Sequence, residues 1–311
     1  MQLQFSFIIP VFKRPQEIDE LLYSFTKLNT NTAFEVVIIE DGSTQTSESI
    51  IENYKNQLDI TYYFKENSGP GDSRNYGMQN AKGNYFIILD SDCLLPNQYL
   101  NVVLESLEIE YVDCFGGQDA AHESFSNLQK AINFSMTSFI TTGGIRGAKN
   151  SINSFQPRSF NMGISKAAYT KTGGFGQIHP GEDPDLSIRL KKLGFKTKLI
   201  PEAFVYHKRR ISWQKFYKQV HKFGLVRPIL NRWHPDTKKI TYWFPSLFSF
   251  GFLFALVLFF LKIKMLLWIY ISYFVIAFVF ALFKTKSIGV SLMTLLAIGI
   301  QSVSYTHLTL P

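Results

Sequence analysis

Residues 85–93 read YFIILDSDC. Five apolar residues run straight into Asp90-Ser91-Asp92. A short apolar run closed by polar turn residues reads as a buried strand, with the acids at its C-terminal end. Two carboxylates at i and i+2 in that place can share a hard divalent cation whose other ligands are phosphate oxygens. Asp also favours turns and helix caps, so the tripeptide alone is a weak signal that reads first as a solvated turn or cap. The decision comes from what lies on either side.

Upstream the same pattern recurs. Residues 5–12 (FSFIIPVF) read as a buried strand, and Pro15 opens a helix whose Ile18, Leu21, Leu22 and Phe25 share one face. A second strand covers 34–40 and ends in Asp41-Gly42-Ser43; 49–54 is helical and 60–64 a third strand. The loop 67–71 (NSGPG) leads into a helix over 72–81, and 85–89 is the fourth strand. Alternation at this spacing predicts an α/β fold with a mostly parallel sheet and ligands at the strand C-terminal ends, where the polar turns fall.

Those turns carry candidate chemistry. Asp41, in IIEDGS, can accept hydrogen bonds from a base or ribose, and an Asx turn explains it equally well. The run NSGPGDSRNYG offers glycines for close backbone approach and a helix N-terminus for anionic phosphate, with Arg74 and Asn75 one turn further on. It is neither G-x-G-x-x-G nor a Walker loop, which removes the signatures of dinucleotide binding and of ATP hydrolysis. Residues 181–190 (GEDPDLSIRL) predict an amphipathic helix beginning near Asp183 and Pro184, acids first and bases later. Helix electrostatics account for that order, and so does a carboxylate serving as general base.

Composition narrows the class. The chain has 311 residues, 46% hydrophobic, 15% aromatic and 18% charged, which excludes disorder, a collagen-like fibre and a small disulfide scaffold. Net charge is +8, unevenly spread: residues 1–207 hold 18 bases against 23 acids, and 208–239 hold ten bases against Asp236 alone. An acidic globular part therefore precedes a basic collar, which is not the pattern of a nucleic-acid binder. Cys93 and Cys114 are too few for a disulfide framework or a four-ligand zinc site and fit a reducing compartment. The N-terminus lacks the basic region and long apolar core of a signal peptide.

Residues 243–261 and 265–283 are each nineteen residues without a charge, bounded by Lys238-Lys239, Lys262, Lys284 and Lys286. Both are long enough to cross a bilayer and show no polar face. Residues 288–302 begin a third span that reads as truncated. The last nine, 303–311 (VSYTHLTLP), look like one reading frame of a sequencing adaptor and are left out of the fold expectation. Before the spans, Trp213, Phe216, Tyr217, Val220 and Phe223 recur at helical spacing with Lys215, Lys218 and Lys222 between them. That is an interfacial helix meeting anionic lipid headgroups, an ordinary packed surface helix, or both at once. The basic excess before residue 243 predicts a cytosolic large domain on a multi-pass protein of the cytoplasmic membrane.

Taken in order, FIIPVFKR, EDGS, SGPGDSRN, DSDC, NMGISKAAYTKTGGF and GEDPDLSIRL resemble the family 2 glycosyltransferases over about residues 5–210. The resemblance, with the apolar tail, is to membrane-anchored bacterial members that build cell-envelope polysaccharide. It implies the Rossmann-like nucleotide-diphospho-sugar transferase (GT-A) fold and transfer with inversion. It implies that Pro10 lines the nucleotide pocket, that Asp41 binds the base, and that Asp90 and Asp92 bind nucleotide and Mg²⁺ or Mn²⁺. It also implies that Asp183 is the catalytic base with Glu182 beside it at the acceptor. His207, in FVYHKRR, falls where relatives carry a metal- or diphosphate-reaching histidine; a locally bonded strand-end histidine is the equal alternative. Arg74 would help to neutralise the departing diphosphate.

The partners so implied are a nucleotide-diphospho-sugar, a UDP-sugar in the first place, a glycan or lipid-linked acceptor, and membrane lipid. Processive relatives carry Q-x-x-R-W. Here Arg232-Trp233 is preceded by Ile229 where Gln would be required, and Gln214 is not followed by Arg-Trp, so single-sugar transfer is expected. A polyprenyl-phosphate glycosyltransferase, or a catalytically silent binding partner, are the alternatives. The expected organisation is a catalytic domain over 1–210, a basic interfacial segment over 211–241, spans over 242–302, and the terminal 303–311. Loops within 119–158 are expected to shape the donor pocket.

Overall fold

A computed structural model describes residues 2–120, 122, 124–142, 155–208, 212–238 and 240–306. The eight strands are β1 (Phe5–Val11), β2 (Phe34–Asp41), β3 (Ile60–Lys65), β4 (Tyr85–Leu89), β5 (Cys93–Leu94), β6 (Cys114–Ala120), β7 (Asn161–Ser165) and β8 (Thr197–His207). The first helices are α1 (Pro15–Phe25), α2 (Glu48–Glu52), α3 (Pro70–Asn80), α4 (Tyr99–Ile109), α5 (Asn127–Thr137) and α6 (Phe139–Thr142). They are followed by α7 (Lys166–Thr172), α8 (Glu182–Lys192), α9 (Trp213–Trp233), α10 (Phe244–Phe260), α11 (Met265–Thr285) and α12 (Ile288–Thr306). Two compact units result: Met1–His122 with Ile145–Lys208, and Glu123–Gly144 with Arg209–Pro311.

The first unit is built on one mixed sheet in the order β3-β2-β1-β4-β7-β6-β8-β5. The four strands read from the sequence form its parallel half. The antiparallel pairs β4·β7, β6·β7 and β5·β8, with the parallel pair β6·β8, complete it. The apolar run of β1 is continuous because both faces of that strand are covered: Phe7, Ile9 and Val11 pack in one core and Ile8 in the other. Residues of α1 and α4 join the first core, and residues of α3 and α8 join the second. Pro10 lies past Ile8↔Ile88, the last β1–β4 pair, where a residue without an N–H is tolerated.

Small differences from the sequence expectation have local causes. β2 runs on to include Asp41, and α3 starts at Pro70 because Gly69, at φ 94, turns the chain into it. α8 begins at Glu182, after Gly181 at φ 121. Of the loop expected over 119–158, Asp119 and Ala120 belong to β6 and Asn127–Thr142 is largely helical; residues 143–154 lie outside the described residues.

The second unit is not contiguous in sequence. α5 carries Ile132 and Met136, which pack with Phe216 and Val220 of α9 and Ala297 of α12. The apolar face of the first half of α9 is therefore buried in protein, while Leu225, Ile229 and Trp233 of its second half are exposed. Three helical stretches, Ile240–Phe260, Met265–Thr285 and Ile288–Tyr305, are long and apolar enough to cross a membrane. The third does not stop at Ser302 as expected. Residues 303–306 continue the helix, with the Ser302 and Ser304 hydroxyls donating to carbonyls four residues back. The boundary expected at 210/211, Lys239 and residues 307–311 lie outside the described residues.

Candidate functional site

The acids singled out in the sequence converge at the C-terminal ends of β1, β2 and β4, together with the N-terminus of α8 and the last residue of β8. All belong to the first unit.

Asp41 is buried at the end of β2. Its Oδ1 accepts from the Ser68 amide and the Lys65 ammonium, both at 2.9 Å. Its Oδ2 accepts from the Gly69 amide at 2.9 Å and Asn67 Nδ2 at 3.2 Å. Burial opposes ionisation, but the Ser68 amide and the Lys65 and Ser73 side chains outweigh it and hold the carboxyl below its ordinary range. The carboxylate thus pins the glycine-rich loop in front of α3, using all four of its lone-pair directions within the chain. Gly42, at φ 71, makes this possible: a Cβ there would lie 2.7 Å from the Asn67 amide nitrogen.

One turn into α3, Arg74 is 3% exposed. Its NH2 donates to Asp90 Oδ1 at 2.8 Å and its NH1 to Glu182 Oε1 at 3.2 Å, with the guanidinium over the Phe175 ring. Asn75 points elsewhere. Its amide donates to the Phe175 carbonyl and accepts from the Phe175 N–H, each at 2.8 Å, which commits it to the segment leading to α8 rather than to a ligand.

Asp92 sits between a guanidinium and an imidazole. Arg14 NH1 reaches its Oδ2 at 2.7 Å, and His207 Nε2 lies 3.2 Å from its Oδ1. The imidazole is stacked on Phe160, with centroids 4.8 Å apart and planes at 16°, and Asp119 Oδ2 lies 3.9 Å from its other nitrogen. Asp92, Cys93 and His207 place potential ligand atoms within 4.8 Å of one another. Cys93 and His207 face each other because they are register partners across β5 and β8. Asp90 stands apart from this group, held by Arg74.

At the start of α8, Glu182 Oε1 is also 3.1 Å from His179 Nδ1. Burial works against its charge, but the His179 hydrogen bond and the Arg74 cation hold Glu182 down at about 2. Asp183 moves the other way. Burial, then the neighbouring Glu182 charge, push it above the usual aspartate range against the pull of Arg74, Arg158 and a hydrogen bond from Ser159. Two adjacent carboxyl groups driven apart in this way suit different chemical roles.

Sequence reasoning had not assigned Arg14, Asp119, Phe160 or His179. Arg14 carried a signal, a base just after the first strand at the ligand end of the sheet. The others sit on elements whose place in the sheet was not legible.

The family model described as Glycosyl transferase family 2 matches residues 6–170. The poly(ribitol-phosphate) beta-N-acetylglucosaminyltransferase TarS of Staphylococcus aureus is 37% identical over 101 residues, 32% of this chain and 18% of that protein. The chain spans less than a fifth of the length of several curated relatives that it matches over this stretch. The crystal structure of TarS 1-349 in complex with UDP-GlcNAc aligns with TM-score 0.51 and 20% identity, covering 72% of this chain and 67% of that one. The mannosyltransferase PcManGT from Pyrobaculum calidifontis, in complex with GDP-Man and Mn²⁺, aligns with TM-score 0.58 and 14% identity, covering 97% and 88%. At these identities the two structures establish a shared GT-A fold.

Proposed function

Because the chain belongs to glycosyl transferase family 2 and is a glycosyltransferase, we propose that it moves one sugar, with inversion, from a nucleotide-diphospho-sugar to a hydroxyl of a membrane-associated acceptor. A UDP-sugar is the favoured donor, and the acceptor is a lipid-linked or cell-envelope glycan precursor. The observation that carries this reading is the buried Arg74. It joins Asp90, two residues before the Asp92 that faces His207, to Glu182, next to Asp183, so that the acids read as the donor side and those read as the acceptor side share one guanidinium.

The side chains fit a divalent cation. The Asp92 carboxylate would hold Mn²⁺ or Mg²⁺ together with nucleotide phosphate oxygens, and the His207 imidazole would add a nitrogen ligand that Mn²⁺ accepts more readily than Mg²⁺. Cys93, whose thiol donates to the Phe160 carbonyl at 3.5 Å, belongs to the support of His207. When bound, the cation neutralises charge on the leaving diphosphate. The protein does the rest. Pro10 and the loop pinned by Asp41 shape the nucleotide side, and Arg74 places positive charge near the diphosphate. Asp183 takes the proton from the acceptor hydroxyl as its oxygen attacks the anomeric carbon in line. One displacement inverts the centre, so no second nucleophile is required.

The three apolar helices are compatible with membrane anchoring. We read the first unit as the catalytic domain on the cytosolic face, where sugar nucleotides are found, and the basic α9 of the second unit as a lipid-facing segment. Binding and hydrolysis of UDP-, GDP- and dTDP-sugars by the detergent-solubilised chain, with and without Mn²⁺, test the reading. Selective, Mn²⁺-dependent binding of one donor, lost in Asp92→Ala, is expected. If no donor binds, the enzyme reading fails and the silent-partner alternative takes its place.

A further inference from the structure

Two buried carboxylate oxygens beside Arg74 have no hydrogen-bond partner among the described residues. Glu182 is 6% exposed. Its Oε1 is occupied by Arg74 and His179, while Oε2 is buried and accepts nothing; Oδ1 of Asp183, the next residue, is in the same state. A buried polar atom left unsatisfied costs about 1–3 kcal/mol, and native interiors keep few of them without a reason. An ionised carboxylate can only accept, so what completes this pair must bring hydrogen-bond donors, and bring two of them side by side.

We propose that the acceptor enters as a vicinal diol of a sugar or polyol, one hydroxyl on Asp183 and its neighbour on Glu182, and that ionised phosphate acceptors are refused. The proposal rests on the reading of Asp183 as the base. Asp183 takes the proton of the reacting hydroxyl, the new bond forms between that oxygen and the anomeric carbon, and the bond from that carbon to the diphosphate oxygen breaks, its electron pair leaving with the nucleoside diphosphate. The second hydroxyl keeps its proton and donates a hydrogen bond to Glu182 Oε2 throughout. A polyprenyl phosphate would instead face two carboxylates with its own negative charge and no donor to offer.

Glu182→Gln is an informative substitution for a geometric reason. The amide oxygen must stay where Arg74 and His179 donate, so the NH₂ falls at the Oε2 position and opposes an incoming hydroxyl. Transfer would be measured with the full chain in detergent, using the sugar nucleotide it hydrolyses fastest (UDP-GlcNAc tried first), onto glycerol, 1,3-propanediol and 1-propanol. Expected is a KM for glycerol at least about tenfold below the other two, a ratio that falls to about one in Glu182→Gln, and no transfer to any alcohol by Asp183→Asn. Equal KM values in the wild-type enzyme, with Asp183→Asn inactive, overturn the diol alone. So does transfer to no alcohol while donor hydrolysis proceeds, or a Glu182→Gln that slows all three acceptors alike, as a purely structural carboxylate would. If Asp183→Asn still transfers, or no sugar nucleotide is turned over, the functional reading falls and the diol with it.

Discussion

Arg74 and Glu182 are 108 positions apart in the chain, and Arg74 NH1 lies 3.2 Å from Glu182 Oε1. The other arm of the same guanidinium holds Asp90 at 2.8 Å. One cation therefore serves an acid after the fourth strand and an acid opening the helix in front of the last strand. A buried cation with a carboxylate on each arm is costly to disturb, because whichever partner remains is a charge out of water.

Arg74→Met should accordingly destabilise the protein by about 3 kcal/mol, discounted from the fully buried range because Asp90 is partly exposed. Arg74→Lys keeps the charge but cannot span both acids, and should fall between. Thermal unfolding of the solubilised chain reads both; an unchanged melting temperature for Arg74→Met would sink the coupling.

The divergence of Glu182 and Asp183 predicts a pH profile. A base works only when deprotonated, so activity rises with pH through the Asp183 pKa, which burial and Glu182 place above the ordinary aspartate value. Removing the neighbouring charge in Glu182→Gln should move that acid limb to lower pH, whatever happens to the maximal rate. Profiles of kcat/KM for the two proteins provide the check, and a limb that moves upward contradicts the assignment.

Chelation tests the cation. EDTA should abolish donor turnover, and Mn²⁺ should restore it. Calorimetric titration of Mn²⁺ in the presence of UDP should show at least about a hundredfold weaker binding to Asp92→Ala and His207→Ala, since even outer-shell changes cost 10–100-fold. Wild-type affinity in His207→Ala would return that residue to the role of a locally bonded strand-end histidine.

Packing beneath the site makes a separate prediction. A Cβ on Gly77 of α3 would lie 2.5 Å from Ile39 Cδ1 and 2.6 Å from Ile8 Cγ2, both in the core. Gly77→Ala should cost about 1–3 kcal/mol from overpacking, offset by up to about 1 kcal/mol of helix propensity. Calorimetry that finds Gly77→Ala more stable than wild type would show that α3 lifts freely from the sheet.

Membrane topology can be read with cysteines, because Cys93 and Cys114 are both buried. With a cytosolic catalytic unit and three spans, Ile263→Cys between α10 and α11 should react with an impermeant maleimide in intact cells. Ser287→Cys, between α11 and α12, should react only after lysis. The reverse pattern overturns the orientation.

Much of this was legible in the chain itself. The parallel half of the sheet, the placement of Asp41, Asp90 and Asp92 at strand ends, and the long apolar helices all follow from local patterns, apolar runs closed by turns and spans free of charge. Strands β5 to β8 were not, apart from the strand end at His207: β5 is two residues long and β6 contains Gly116-Gly117, so neither shows a clear period. The grouping of α5 with the C-terminal helices was also hidden, since an amphipathic face shows that a partner exists and not which one.

By itself the sequence determined which residues are candidates for chemistry and which segments read as strands, helices or spans, because those depend on neighbours a few positions away. The tertiary structure decided what each acid touches. It set Arg14, 78 positions from Asp92, against that carboxylate, turned Asn75 onto Phe175, closed Asp41 around the glycine loop, and left one oxygen each of Glu182 and Asp183 open. Those pairings are fixed by the order of strands in the sheet and by which loops it brings to one edge, information that no local spacing contains.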